Sequence, residues 1–224
     1  MTNIEQIYAQ IYKFIPLAIS LVGFIAGMVN ILKKRAPFFF TMIIFAVGCF
    51  TIEQVSLTVN TICGVYNDVW IGLLGVFGCN LFLLSANYGT FDKIVDGSEL
   101  TFLKKLLLFL VPVIIMIFVI LIFFIWKDRD MLCAIVFAFI YIPAIPTSYY
   151  NAKYLFLTDY DIDFLKAIKG CNIMSLIFIF MSGIYLFIEA SGFVPGIVIG
   201  TVLHALTVLG LALEAIKGIR QWKN

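Results

Sequence analysis

Charge is scarce in this 224-residue chain: Asp, Glu, Lys and Arg make up 12% of it, and there is one histidine. Ordinary soluble domains carry about a quarter charged residues and about half apolar ones. Here 63% of residues are hydrophobic, more apolar surface than a soluble fold of this size could cover. A net charge of +2, with no basic stripe interleaved with aromatics, excludes nucleic acid as a partner. None of the five cysteines forms a C-x-x-C pair, and a lone histidine without convergent Cys or carboxylate partners does not hold zinc, so no metal or other cofactor is expected. No nucleophile with its base and orienting partner is visible, so no catalytic residue is assigned and enzymatic chemistry is not expected.

What is present is a succession of long apolar runs. A hydrocarbon core about 30 Å thick needs roughly 20 apolar residues at helical rise. The run from Leu106 to Trp126 supplies 21 without one charged side chain. Seven such segments are read: Phe14 to Leu32, Pro37 to Val59, Val69 to Phe91, Leu106 to Trp126, Met131 to Asn151, Cys171 to Ile188 and Phe193 to Leu213. Backbone polar groups cannot be left unpaired in lipid, and the alternating pattern of a barrel strand is missing, so each segment is expected to be a helix. The fold class is all-α, a polytopic seven-transmembrane helix bundle forming one domain over residues 1–224. Met1 to Tyr12 lacks the basic segment of a cleavable signal, so the first span is expected to stay.

Twelve of the fifteen basic residues, among them Lys33, Lys34, Arg35, Lys104, Lys105, Lys153, Lys217 and Arg220, fall on one side of such a bundle; Lys13, Lys127 and Arg129 fall on the other. Short cytoplasmic loops retain positive charge, which places the N-terminus outside and the C-terminus in the cytoplasm of a plasma membrane protein. Tyr12, Tyr66, Trp70, Trp126 and Trp222 near span ends fit interfacial belts. Cys63 and Cys133 both belong to the outer face, where a disulfide is open to them.

The connections after the third and fifth spans align at a 62-residue offset: Ser85 with Thr147, Tyr88 with Tyr150, and Phe102-Leu103-Lys104 with Phe164-Leu165-Lys166. This pattern suggests a repeated helical hairpin, although short cytoplasmic loops share such features. Asp159, Asp161 and Asp163 alternate like calcium ligands but lack the glycine and distal glutamate of a calcium loop, so they read as solvated surface.

Polar side chains at membrane depth are costly and mark functional sites. Glu53 is the one acid well inside a span, and Cys49, Ser56 and Asn60 share its helical face. A carboxylate there could bind a cation, an amine or a proton. His204 follows Gly192, Gly196 and Gly200 at four-residue steps, a face bare enough for close packing or for a ligand. The third span contributes Asn80; the sixth aligns Ser175, Ser182, Tyr185 and Glu189. Ser20, Gly23, Gly27 and Asn30 form a packing stripe on the first span. Pro143 and Pro146 beside Tyr141 should bend the fifth.

The topology resembles that of seven-helix receptors at the level of fold alone, and no residue is carried over. A Schiff-base cofactor on the last span is disfavoured, since no lysine occurs there before Lys217. The sequence therefore points to a receptor-like or sensory protein of the bilayer, binding a small polar or cationic ligand at Glu53, Asn60, Asn80, Tyr185, Glu189 and His204, and signalling through a membrane or cytoplasmic protein partner. A small-solute or ion transporter or channel, and a membrane-embedded subunit of a larger complex, are the alternatives.

Overall fold

The computed structural model describes residues 3–63, 69–91, 101–128, 130–157 and 163–222. These residues form eight helices and no strand: α1 (Asn3–Lys34), α2 (Phe38–Cys63), α3 (Val69–Phe91), α4 (Phe102–Lys127), α5 (Met131–Tyr141), α6 (Ala144–Leu157), α7 (Asp163–Ser191) and α8 (Val194–Gln221). Among them six segments are long and apolar enough to cross a bilayer, the pattern of a multi-pass integral membrane protein. The expected third span coincides with α3, whose described apolar stretch, Leu74–Tyr88, is shorter than the others.

The expected fifth span is two helices, α5 and α6, separated at Ile142 and Pro143 and together covering one crossing from Met131 to Leu155. Neither Pro143 nor Pro146 can serve the carbonyl four residues before it. The Ile142 N–H takes the Phe139 carbonyl at 3.2 Å, and the Ile145 N–H takes the Ile142 carbonyl at 3.2 Å. Each orphaned carbonyl is thus bonded by the residue preceding the proline, in the tighter three-residue pattern. The bend expected from sequence is this two-proline break.

The core centres on α2, which buries Phe39, Phe40, Ile43, Ile44, Val47 and Phe50 at helical spacing. Small residues on α1 and α8 let it approach. Gly27 faces Ile44, Gly48 of α2 itself faces Phe24, and Gly218 lies under the Phe40 ring. The small-residue stripe of α1 is therefore packed within the chain, and Ser20 in it is fully buried. At the opposite extreme, α4 buries Leu108, Ile115 and Ile122 in one narrow stripe of seven-residue period. It exposes Phe109, Val113, Ile117, Ile120 and Phe124, a surface suited to acyl chains.

The five cysteines are free thiols, so the disulfide left open between Cys63 and Cys133 is not formed. The Cys133 thiol instead donates to the Asp130 carboxylate at 3.3 Å. Trp126, at the end of α4, is half-buried and packs on Phe137 with ring centroids 4.9 Å apart. The side chains of Tyr12, Tyr66 and Trp70 lie outside the described residues, as do Asp159, Asp161 and most of the connection after α3.

Candidate intramembrane site

The α7–α8 turn, with Gly192 at a φ of 69°, folds the two helices back on each other. Residues about equally distant from that turn face one another, and His204 of α8 meets Ser182 of α7 with Nε2 2.7 Å from Oγ. Both are buried. The Ser182 hydroxyl donates its single hydrogen to the Phe178 carbonyl at 2.8 Å. A hydrogen on His204 Nε2, donated to Ser182 Oγ, is the arrangement that leaves both contacts of the hydroxyl bonded. A nucleophile and its base have the reverse polarity, with the hydroxyl giving its proton to the ring. The pair therefore ties α7 to α8 rather than activating a serine.

Three aromatic rings surround the imidazole. Phe178 stacks on it at 4.9 Å and 27°, Phe50 of α2 meets it edge-on at 5.0 Å and 79°, and Tyr185 lies at 6.1 Å and 26°. The Tyr141 hydroxyl, at the end of α5 above the proline break, is within electrostatic reach of Glu53 and Glu189 and lies near the same Ser182. Three helices thus meet at the imidazole, α2, α7 and α8, with Tyr141 of α5 close by.

The acids lie in the same region. Glu53 is buried, with Oε2 bonded to no protein group, and it is within electrostatic reach of Glu189, Tyr141 and Cys79. Its helix face is set against α3 at Gly75, where a Cβ would come within 2.6 Å of both the Cys49 carbonyl oxygen and Glu53 Cβ. Only glycine permits that approach, and it brings the α3 backbone against the carboxylate-bearing turn.

Of the six residues expected to bind a ligand, Tyr185 and His204 are in ring contact, and Glu53 and Glu189 are within electrostatic reach of each other. Asn60 is half-buried two turns further along α2. Asn80 is buried beside Cys79, its side-chain oxygen without a protein partner and its backbone carbonyl 3.2 Å from the Thr147 hydroxyl oxygen. The glycine face ahead of His204 is filled from within the chain. Gly196 packs against Phe193 and Ile188, and Gly200 against Tyr185 and Ile188, while Gly192 belongs to the turn. Ser182, Tyr141, Phe50 and Phe178 complete the site and were not assigned to it by sequence. Ser182 lies ten residues before Gly192 and His204 twelve after it, which is the signal that pairs them once the turn is placed.

Among the described residues no group of three His, Cys, Asp or Glu side chains is arranged to hold a metal ion. Comparison of the chain with protein-family models, curated proteins and solved structures finds no match.

Proposed function

We propose that the chain crosses the plasma membrane seven times, with its N-terminus outside and its C-terminus in the cytoplasm, and binds a small polar, cationic ligand between α2, α5, α7 and α8. Glu53 supplies the anchoring charge, Glu189 reinforces it from α7, and Phe50, Phe178 and Tyr185 offer ring faces that attract a cation. Asn60 and Asn80 extend the polar lining along α2 and α3. The observation that carries the reading is Glu53 Oε2, buried in a membrane helix and bonded to no protein group. A carboxylate in that setting needs a proton, a cation or a donor to offset its desolvation. Ligand binding beside Tyr141 would bias the proline break below it, and a cytoplasmic or membrane protein reads the shift. The function is receptor-like.

Purified protein in nanodiscs, titrated with Na⁺, K⁺, choline and ethylammonium and followed by thermal shift, tests this. At least one cation should stabilise the wild type, and Glu53→Gln should weaken that cation about tenfold or more, the equivalent of about 1.4 kcal/mol. His204→Ala should weaken it as well. Equal affinity in wild type and both variants would remove the site.

A second reading, a transporter or channel for a small solute or ion, is favoured by the polar stripe of α7, where Asn172, Ser175 and Ser182 are buried in line with Glu189. Cation flux into reconstituted vesicles, abolished in Glu53→Gln, would select it over signalling.

A further inference from the structure

Nearer the other ends of α3 and α7, a second buried polar cluster forms that the candidate ligand site does not use. Asn87 of α3, Asn151 of α6 and Asn172 of α7 meet there, each fully buried. The Asn87 side-chain amide donates to Asn151 Oδ1 at 2.5 Å and to Asn172 Oδ1 at 3.0 Å. Asn87 Oδ1, Asn151 Nδ2 and Asn172 Nδ2 have no protein partner.

The balance of donors and acceptors does not depend on which way each amide is turned. Three carboxamides carry six N–H bonds and three carbonyl oxygens. The two bonds among them use two of each, leaving four N–H bonds and one carbonyl. Nearby hydroxyls donate to the backbone instead: Ser148 to the Ile145 carbonyl, Ser175 to the Cys171 carbonyl and Thr147 to the Pro143 carbonyl. Buried amide groups left in this state cost more than the two bonds return.

The three unpartnered atoms define the guest, and one guest bonded to all of them takes up the carbonyl and two of the four spare N–H bonds. It must accept from the Asn151 and Asn172 amides and donate to Asn87 Oδ1, so it carries both lone pairs and an O–H. It must also be small and neutral, since none of the hydrogen bonds made by the three amides involves a charged side chain and an unpaired ion would be costly to desolvate. One water molecule meets all three demands, and three hydrogen bonds are typical of a buried water. We propose that Asn87, Asn151 and Asn172 form a binding site for a single buried water, which bridges the three amides in a polar joint between α3, α7 and the α6 half of the proline-broken span. The inference is independent of the ligand site between α2, α5, α7 and α8.

A cryo-electron microscopy map of the wild-type protein in nanodiscs, carried to a resolution at which other buried waters appear, tests it directly. A peak within hydrogen-bond distance of Asn87 Oδ1, Asn151 Nδ2 and Asn172 Nδ2 is expected. A map that shows buried waters elsewhere but none among the three amides overturns the proposal. The melting temperature of Asn87→Leu gives a second measurement. It should fall by roughly 3–8 °C, because both remaining amides and the water lose a partner. An unchanged or higher melting temperature would mean that the cluster is dry and under-bonded, and would overturn the proposal as well.

Discussion

Ser182 and His204 are joined across the α7–α8 interface at 2.7 Å, and the direction of that bond is set by a third group, the Phe178 carbonyl that takes the serine hydrogen. In a neutral imidazole this direction places the hydrogen on Nε2 and leaves the lone pair on Nδ1. Because His204 is the one histidine in the chain, ¹⁵N-histidine labelling yields a single pair of ring signals. They should show a protonated Nε2 and an unprotonated Nδ1. Ser182→Ala removes the acceptor of a buried N–H and should destabilise the protein by about 1–3 kcal/mol. A protonated Nδ1 in the wild type, or an unchanged melting temperature in Ser182→Ala, would contradict the assigned direction.

Gly75 and Gly200 are not equivalent, although both lie on apolar helices. A Cβ at Gly75 would stand 2.6 Å from the Cys49 carbonyl oxygen and 3.0 Å from the Glu53 N, both backbone atoms that cannot move without shifting α2. A Cβ at Gly200 would stand 3.4 Å from Tyr185 Cδ2, ordinary contact distance. Gly75→Ala should therefore cost about 1–3 kcal/mol through overpacking and weaken any ligand held by Glu53. Gly200→Ala should be neutral or slightly stabilising, since alanine is the better helix former by about 1 kcal/mol. Thermal melts of the two variants side by side check this, and similar losses in both would refute the distinction.

Much of this architecture could be read from residue types, because the bilayer penalises exceptions so heavily. The lengths of the apolar runs placed most helices. Glu53 and His204 stood out since an ionisable group in a span is rare, Glu189 by its alignment with Ser175, Ser182 and Tyr185 at the end of the sixth, and Pro143 with Pro146 located the break in the fifth crossing. Contacts between helices were less accessible. The small faces beside Gly27 and Gly200 could be seen, but not that Ile44 and Tyr185 fill them. The three-asparagine joint escaped notice for another reason. Asn151 and Asn172 fall at or near the ends of expected spans, where an amide is unexceptional, and Asn87 is close to its span's end. Only the meeting of α3, α6 and α7 makes them a buried cluster. Asn80 and Asn60, by contrast, were chosen for depth and helical face, and neither criterion reports the distance to His204.

The α4–α5 junction supplies a test by pH. Asp130 caps α5, accepting from the Leu132 N–H at 2.9 Å, the Cys133 N–H at 3.1 Å and the Cys133 thiol at 3.3 Å. The Cys133 backbone N–H chiefly, with help from its thiol and the Leu132 N–H, holds the Asp130 carboxyl below its ordinary range. A carboxyl depressed on folding binds protons more readily in the unfolded chain, so its contribution is present above the unfolded value of about 3.9 and is lost as pH falls through the folded one. Asp130→Ala should therefore melt below wild type at pH 7, and the two should converge as the medium is acidified from the unfolded value through the lowered folded one. Asp130→Asn keeps an acceptor without a titration, so its capping should be insensitive over that range. Melting curves of the three proteins between pH 7 and pH about 3 decide the matter. A gap between wild type and Asp130→Ala that stays constant across the range would show that the carboxylate does not act through this cap.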